Sequence, residues 1–252
     1  MGRSRSRTIK VAVAVIAAVA SVTSVSSPVG ANHSWSNYHW ARTTNQFTLK
    51  LGDNVNATWE THLATTAADW TTSTVLDTTI VAGRALKNCK ATIGMVQVCN
   101  SAYGNNGWLG VAQISVNGSH ITQGTVKVND TYFDTAKYNT PAWRNLVMCQ
   151  EVGHTLGLDH QDEIFTNPNL NTCMDYTNDP STNQHPNTHD YEQLVAIYTH
   201  PDSTTTVGAL TVPSAQPANW GRLVSGVARS GQGSTYVAHV GNQMVITFVI
   251  WA

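Results

Sequence analysis

The run from Gln150 to His160 constrains the fold of this chain more than any other segment. At 3.6 residues per turn, Gln150 and His154 lie one above the other on the same face of a helix. Gly157 can end that helix in the left-handed conformation, and His160 can then turn back toward the same face. The sequence therefore predicts a helix whose last turns carry polar side chains that converge on one point.

Those converging side chains suit a metal ion. A catalytic zinc ion needs three protein ligands and an open position for water, and the candidate ligands are Gln150, His154 and His160. Glu151 lies beside them, where a carboxylate can take a proton from that water. The alternative is a helix with two incidental histidines and a capping glycine. The spacing E-x-x-H-x-x-G-x-x-H is expected by chance in about one chain of this length in a few thousand, which favours the metal site.

The motif Glu151-x-x-His154-x-x-Gly157-x-x-His160 resembles that of the metzincin zinc metalloproteases. It is most similar to the matrixin branch of that family. The resemblance implies that Glu151 is the general base and that His154 and His160 are zinc ligands. It also implies an α+β domain with a twisted mixed β-sheet, an N-terminal helix, an active-site helix and a C-terminal helix, to which this chain adds a small β appendage.

A second segment, Cys173-Met174-Asp175-Tyr176, extends the resemblance, which covers about residues 47–200. Met174 matches the methionine of the turn that lies under the metzincin zinc site. Tyr176 has the spacing of a tyrosine that reaches the metal or the oxyanion in the astacin and serralysin branches. The resemblance further implies that the strand over 124–133 is a sheet edge that pairs with an extended peptide or protein substrate.

Gln150 departs from the family, which has histidine at this position. The glutamine oxygen is neutral, as imidazole is, but it is a weaker and harder donor for zinc. A zinc ion held this way would be more electrophilic and more easily lost. Asp159 is an alternative, either as a ligand or as a group that orients one. His185 and His189, in the loop downstream, are further candidates.

The first 31 residues have the three parts of a secretory signal peptide: a basic start, a small apolar run over 11–25, and Val29-Gly30-Ala31 at the cleavage site. The alternative is a retained membrane anchor, for which the run is short. Cleavage before Asn32 would leave ten basic and fifteen acidic residues in a secreted, extracellular protein.

The short stretch between Asn32 and Phe47 holds no cysteine that could plug a zinc site, as a latency segment often does in the family.

Composition excludes several classes of protein. Hydrophobic residues make up 41% of the chain and charged residues 12%, which argues against intrinsic disorder. The net charge of −1 argues against a nucleic-acid-binding protein that works through a broad basic surface. No stretch after the leader is long enough to span a bilayer. We expect a monomer.

The four cysteines all lie after the leader, and an even number in an exported chain indicates disulfides. Three pairings are possible. We favour Cys89 with Cys99, which closes a short loop, and Cys149 with Cys173, which would join the motif helix to the segment around Met174.

Hydrophobic periodicity and turn residues predict a mixed α+β order. The predicted strands cover 47–51, 75–81, 92–98, 108–116, 124–133, 236–240 and 244–251. The predicted helices run from Asn54 or Asn56 to about Trp70, from Pro141 to Gly157, and over 190–198. The predicted division is a signal peptide at 1–31, a metzincin-like metalloprotease domain at 32–202, and a linker with a small C-terminal β extension at 203–252.

These observations favour a secreted zinc endopeptidase in which zinc activates water and Glu151 acts as the base. Tyr176 could then donate a hydrogen bond to the oxyanion. The alternative is a non-catalytic secreted binding protein that keeps the fold, which Gln150 favours. An unrelated secreted module that binds sugar or the cell wall through its tryptophans is the third hypothesis.

Overall fold

The computed structural model describes residues 1–2, 33–84, 88–209, 217, 219–226 and 232–252. The chain divides into two units, Met1–Gly30 and Ala31–Ala252. The predicted leader lies outside the described residues except for its first two, and residues 213–216 of the predicted linker also lie outside them. No helix within the described ranges is both long enough and apolar enough to cross a membrane.

The second unit contains ten strands and four helices among its described residues. In chain order they are β1 (His39–Trp40), β2 (Phe47–Asn54), α1 (Ala57–Thr71), β3 (Leu76–Ala82), β4 (Thr92–Ile93), β5 (Val96–Ser101), β6 (Trp108–Asn117), β7 (His120–Asn129), α2 (Asp130–Phe133), α3 (Pro141–Thr155), α4 (Thr188–Ile197), β8 (Arg222–Ser225), β9 (Thr235–Val240) and β10 (Gln243–Trp251). This arrangement confirms the predicted α+β class with a twisted mixed sheet.

The sheet has the strand order β3-β2-β5-β7-β6-β10-β9-β8. The first four strands in that order are parallel to one another, and β6, β10, β9 and β8 follow as antiparallel neighbours. The short strands β1 and β4 both pair with β7. Helix α1 packs on β3 and α3 packs mainly on β6 and β7, and the antiparallel half contains the chain's C-terminal strands.

The position of β7 within the sheet contradicts one prediction. The family resemblance predicted that the strand over 124–133 is a sheet edge. Instead β7 lies inside the sheet between β5 and β6, and 130–133 form the short helix α2. The polar side chains are accommodated internally: Asn129 is fully buried and its Nδ2 donates to the carbonyl oxygens of Gly104 and Trp108. Hydrogen bonds to residues distant in sequence therefore satisfy the buried side chain of Asn129.

Helix α1 begins as predicted at the cap Asn56, whose side chain accepts a hydrogen bond from the amide of Thr58 at 3.0 Å. Its apolar face, with Trp59, Leu63 and Ala67, is buried against the sheet and α3. The strand predicted over 92–98 is interrupted at Gly94, whose φ of +77° breaks it into β4 and β5.

Helix α3 is the central helix of the domain. Thr140 caps it by accepting from the amide of Trp143, and Pro141 occupies its first turn. It packs between the sheet and α1, so nearly its whole length is buried. The helix ends at Thr155, and Gly157 then adopts a φ of +98° as predicted. Because α3 is buried so completely, the polar side chains near its end also lie in the interior of the protein.

Both favoured disulfides are confirmed. Cys89 is bonded to Cys99, and Cys149 of α3 is bonded to Cys173. The C-terminal hairpin is also confirmed as β9 and β10. Strand β10 pairs along β6, so the predicted C-terminal extension continues the main sheet.

Candidate active site

The end of α3 brings the motif residues together in the interior. Gln150, Glu151, His154 and His160 are all buried. The rings of His154 and His160 lie 4.5 Å apart between centroids and are nearly perpendicular, at 83°. The turn at Gly157 thus returns His160 to the helix face, as the motif predicted.

His154 is oriented by the turn that follows the helix. Its Nδ1 lies 2.9 Å from the carbonyl oxygen of Leu158. Because a carbonyl oxygen can only accept, Nδ1 carries the proton and Nε2 keeps its lone pair. Burial, followed by the charge of His160, lowers the pKa of His154 well below its usual value. The imidazole is therefore neutral, which is the form that binds a metal.

His160 is oriented in the same way by carboxylates. Its Nδ1 lies 3.2 Å from Oε1 of Glu163 and 3.5 Å from Oδ1 of Asp159. The hydrogen bond from His160 is the largest cause of a lowered pKa at Glu163. Metal-binding histidines commonly donate their other nitrogen to a carboxylate, which fixes the ring and raises its basicity. Asp159 thus lies behind a candidate ligand and does not replace one.

Several buried polar atoms at this point have no hydrogen-bond partner within the described ranges. They are Nε2 of His154, Nε2 of His160 and Nε2 of Gln150. Buried polar atoms are nearly always paired, so a group of unpaired ones on one helix end indicates a site for a ligand or ion. Imidazole nitrogens suit zinc, and the Gln150 carboxamide oxygen would supply a further ligand. The residues therefore fit the metal that the sequence predicts.

Glu151 is completely buried against β6. Gly110 makes room for it, since a Cβ added at Gly110 would lie 2.5 Å from Oε1 of Glu151. Burial raises the pKa of the Glu151 carboxyl well above its usual range, and the backbone amides of Ala112 and Ile250 oppose part of that shift. The carboxyl thus lies between α3 and strands β6 and β10 of the sheet.

Met174 lies against α3, and Tyr176 lies beside His160. Met174 is fully buried, and its Sδ is 2.6 Å from the position that a Cβ on Gly153 would occupy. The Tyr176 ring lies 4.2 Å from that of His160, and burial raises the pKa of its hydroxyl well above the usual value. The Cys149–Cys173 disulfide ties this segment to α3.

Strand β10 covers the site. The ring of Phe248 stacks on that of His154, with centroids 4.2 Å apart and planes 3° from parallel. Phe248 is fully buried, and the neighbouring strand residues continue the pairing with β6. The polar residues of the site are therefore buried, and Phe248 of β10 lies directly on His154.

The downstream histidines do not join the site. His185 is more than half exposed, and its Nδ1 lies 2.7 Å from Oδ2 of Asp69. His189 stacks on His33 with ring centroids 4.7 Å apart. Neither residue is brought to His154 or His160 as a third ligand.

Three residues of the site were not found from the sequence. Gly110, inside a strand, was a usable signal, because a strand glycine often marks a close approach of another group. Glu163 gave no signal, since an acidic residue near a histidine is common in any loop. Phe248 could not be found, because nothing in a local pattern shows which distant helix a strand will cover.

Comparison with known proteins gives distant structural likenesses, of which one is described below. No family model matches the chain, and no curated protein matches its sequence. Among solved structures, high choriolytic enzyme 1, a hatching enzyme zinc-protease from the medaka fish Oryzias latipes, matches with 9% identity and a TM-score of 0.36, covering 67% of this chain and 98% of that one. A likeness this distant does not identify a family for the chain.

Proposed function

We propose that this protein is a secreted zinc-dependent endopeptidase of the metzincin type, closest to the matrixin branch, that acts on extended peptides or proteins. One observation carries the proposal: two buried histidines with adjoining rings each have Nδ1 engaged and Nε2 without a hydrogen-bond partner. Export through the predicted leader and a monomeric state belong to the same proposal.

In this function His154, His160 and Gln150 would hold the zinc ion. Bound zinc would polarise the scissile carbonyl and acidify a water molecule. Glu151 would take the proton from that water and pass it to the leaving amine. Tyr176 would donate a hydrogen bond to the oxyanion as negative charge develops there. Met174 and the Cys149–Cys173 disulfide would hold the floor of the site in place.

Substrate binding requires a change at β10. Glu151 borders β6, so β6, and not β7, is the strand beside which an extended substrate would lie. In the conformation described here β10 takes that position, with Phe248 over His154. Strand addition by a peptide uses the same backbone hydrogen bonds as β10 does. The described conformation is therefore the closed form of the proposed enzyme.

Zinc content tests the metal site directly. The full-length chain and a His154→Ala/His160→Ala variant would be purified in the presence of zinc and analysed by mass spectrometry for metal per chain. We expect the variant to hold one zinc ion fewer than the wild-type chain. Equal zinc content in the two proteins would contradict the proposed site.

The second candidate function is a non-catalytic binding protein with the same fold. Two observations favour it: Gln150 stands where the family has histidine, and Phe248 closes the site. Cleavage separates the two functions. Zinc binding without any cleavage, both in the wild-type chain and in a Phe248→Ala variant, would support the binding protein and contradict the enzyme.

A further inference from the structure

A second group of metal-ligating side chains lies outside the candidate active site. It consists of His39, His120, His200 and Asp202, called here the His–Asp cluster. The cluster joins three segments that are distant in sequence: β1 and β7, which pair at His39 and His120, and the segment after α4. It shares no residue with the candidate active site.

The distances match those of a tetrahedral zinc site. Oδ1 of Asp202 lies 3.2 Å from Nε2 of His39, 3.3 Å from Nε2 of His120 and 3.8 Å from Nε2 of His200. Four ligands at zinc bond lengths of about 2.0–2.1 Å stand about 3.3 Å from one another in a tetrahedron. The ligand atoms of His39, His120 and Asp202 all lie within 4.8 Å of one another, so only small shifts are needed.

The inner ligands are held in orientation by other groups. Nδ1 of His39 lies 2.7 Å from the carbonyl oxygen of Asn37, which orients the ring so that Nε2 faces Asp202. Oδ2 of Asp202 accepts from the backbone amide and from Nη1 of Arg42, both at 3.1 Å, which leaves Oδ1 facing the histidines. Both ligand atoms are thus held in orientation before a metal binds.

We propose that the His–Asp cluster binds a zinc ion with a structural role. Imidazole nitrogens with one carboxylate oxygen form a donor set that suits zinc. His39 is buried, Asp202 is partly buried, His120 is one-third exposed, and His200 is more than half exposed and can turn in as the fourth ligand. Four protein ligands close the coordination sphere, as in structural sites. The ion would clamp β1 and β7 to the end of α4.

The test isolates this site from the other one. The starting protein is the full-length His154→Ala/His160→Ala variant, which removes the candidate active site. We expect it to bind one zinc ion per chain, and to give with Co²⁺ the visible absorption of tetrahedral coordination. Failure of the proposed active site would not affect this result, because the two sites have no ligand in common.

Adding His120→Ala should abolish that binding or weaken it at least about 100-fold, since loss of a ligand costs more than loss of an orienting group. Asp202→Asn should have the same effect while keeping the side chain's size. The matched control is His185→Ala, which removes an exposed histidine paired with a single aspartate and should leave zinc affinity unchanged.

A structural role adds a second readout. Zinc should raise the thermal midpoint of the starting protein and leave that of the His120→Ala variant unchanged. If the starting protein does not fold, the same comparison is made in the wild-type chain, where His120→Ala should lower the content from two zinc ions to one. The proposal is overturned if the folded starting protein binds no zinc, or if the zinc content of the protein tested is unchanged by both His120→Ala and Asp202→Asn.

Discussion

At the scale of single residues, Gln150 decides how strongly the candidate active site can hold its metal. It is buried on the face of α3 that carries His154, one turn away. Its carboxamide can offer only an oxygen to a metal, whereas an imidazole would offer a better nitrogen donor for zinc. A glutamine at position 150 should therefore give a weaker zinc site than a histidine would, with no other change in the fold.

Gln150→His should tighten zinc binding, and Gln150→Ala should weaken it, because the second change leaves two histidines and water. A competitive zinc titration on the three proteins measures this. Each would also carry His120→Ala, so that the His–Asp cluster does not contribute. An affinity that is the same in all three would remove Gln150 from the ligands.

At the scale of elements, β10 controls access to α3. Its pairing with β6 and the stacking of Phe248 on His154 are the contacts that close the site. Phe248→Ala removes the stacked ring, so we expect a faster rate of peptide cleavage and faster exchange of zinc with a chelator. The buried position predicts a loss of about 3–5 kcal/mol in stability.

The matched control is Phe133→Ala. Phe133 is also fully buried but packs on Trp59, with ring centroids 4.7 Å apart. It should lower stability by a similar amount without speeding cleavage or zinc exchange. If both variants changed cleavage equally, general loosening and not the opening of β10 would be the cause.

Most elements were predictable from local patterns. The cap Asn56, the spacing of Trp59 and Leu63, and the glycine at 157 each determine local geometry through neighbouring residues alone. The predicted edge over 124–133 was wrong because β5 and β6 flank β7, where Asn129 finds distant hydrogen-bond partners and burial lowers the pKa of Lys127. Strand partners and the closure by β10 depend on contacts between distant segments, for which a sequence carries no local signal.

The candidate active site, too, was only partly predictable from local sequence patterns. The motif predicted which side chains converge, since helix periodicity and one turn determine that geometry. It could not show that Glu163 would orient His160, or that His39, His120 and Asp202 would meet. Those arrangements arise only when the sheet and the segment after α4 come together.

At the scale of the whole molecule, the two disulfides have different consequences. Cys149–Cys173 ties α3 to the segment of Met174, and Cys89–Cys99 closes a loop away from the motif. Cys149→Ala/Cys173→Ala should cost about 3 kcal/mol in the chain-entropy model and should also weaken zinc binding. Cys89→Ala/Cys99→Ala should cost nearly as much and leave zinc affinity unchanged. Denaturant unfolding and zinc titration of both variants check this. An equal loss of zinc affinity in the two variants would contradict a specific role of the Cys149–Cys173 disulfide at the metal site.

The most direct test of the proposed function is cleavage of an unfolded protein such as casein by the full-length, zinc-loaded chain. A Glu151→Gln variant supplies the comparison, and Glu60→Gln, the same change at an exposed position on α1, supplies the matched control. We expect cleavage by the wild-type chain and by Glu60→Gln, and a loss of about 10²- to 10⁴-fold in Glu151→Gln with zinc still bound. Cleavage by Glu151→Gln at the wild-type rate would contradict the role of Glu151 as the base and with it the proposed mechanism.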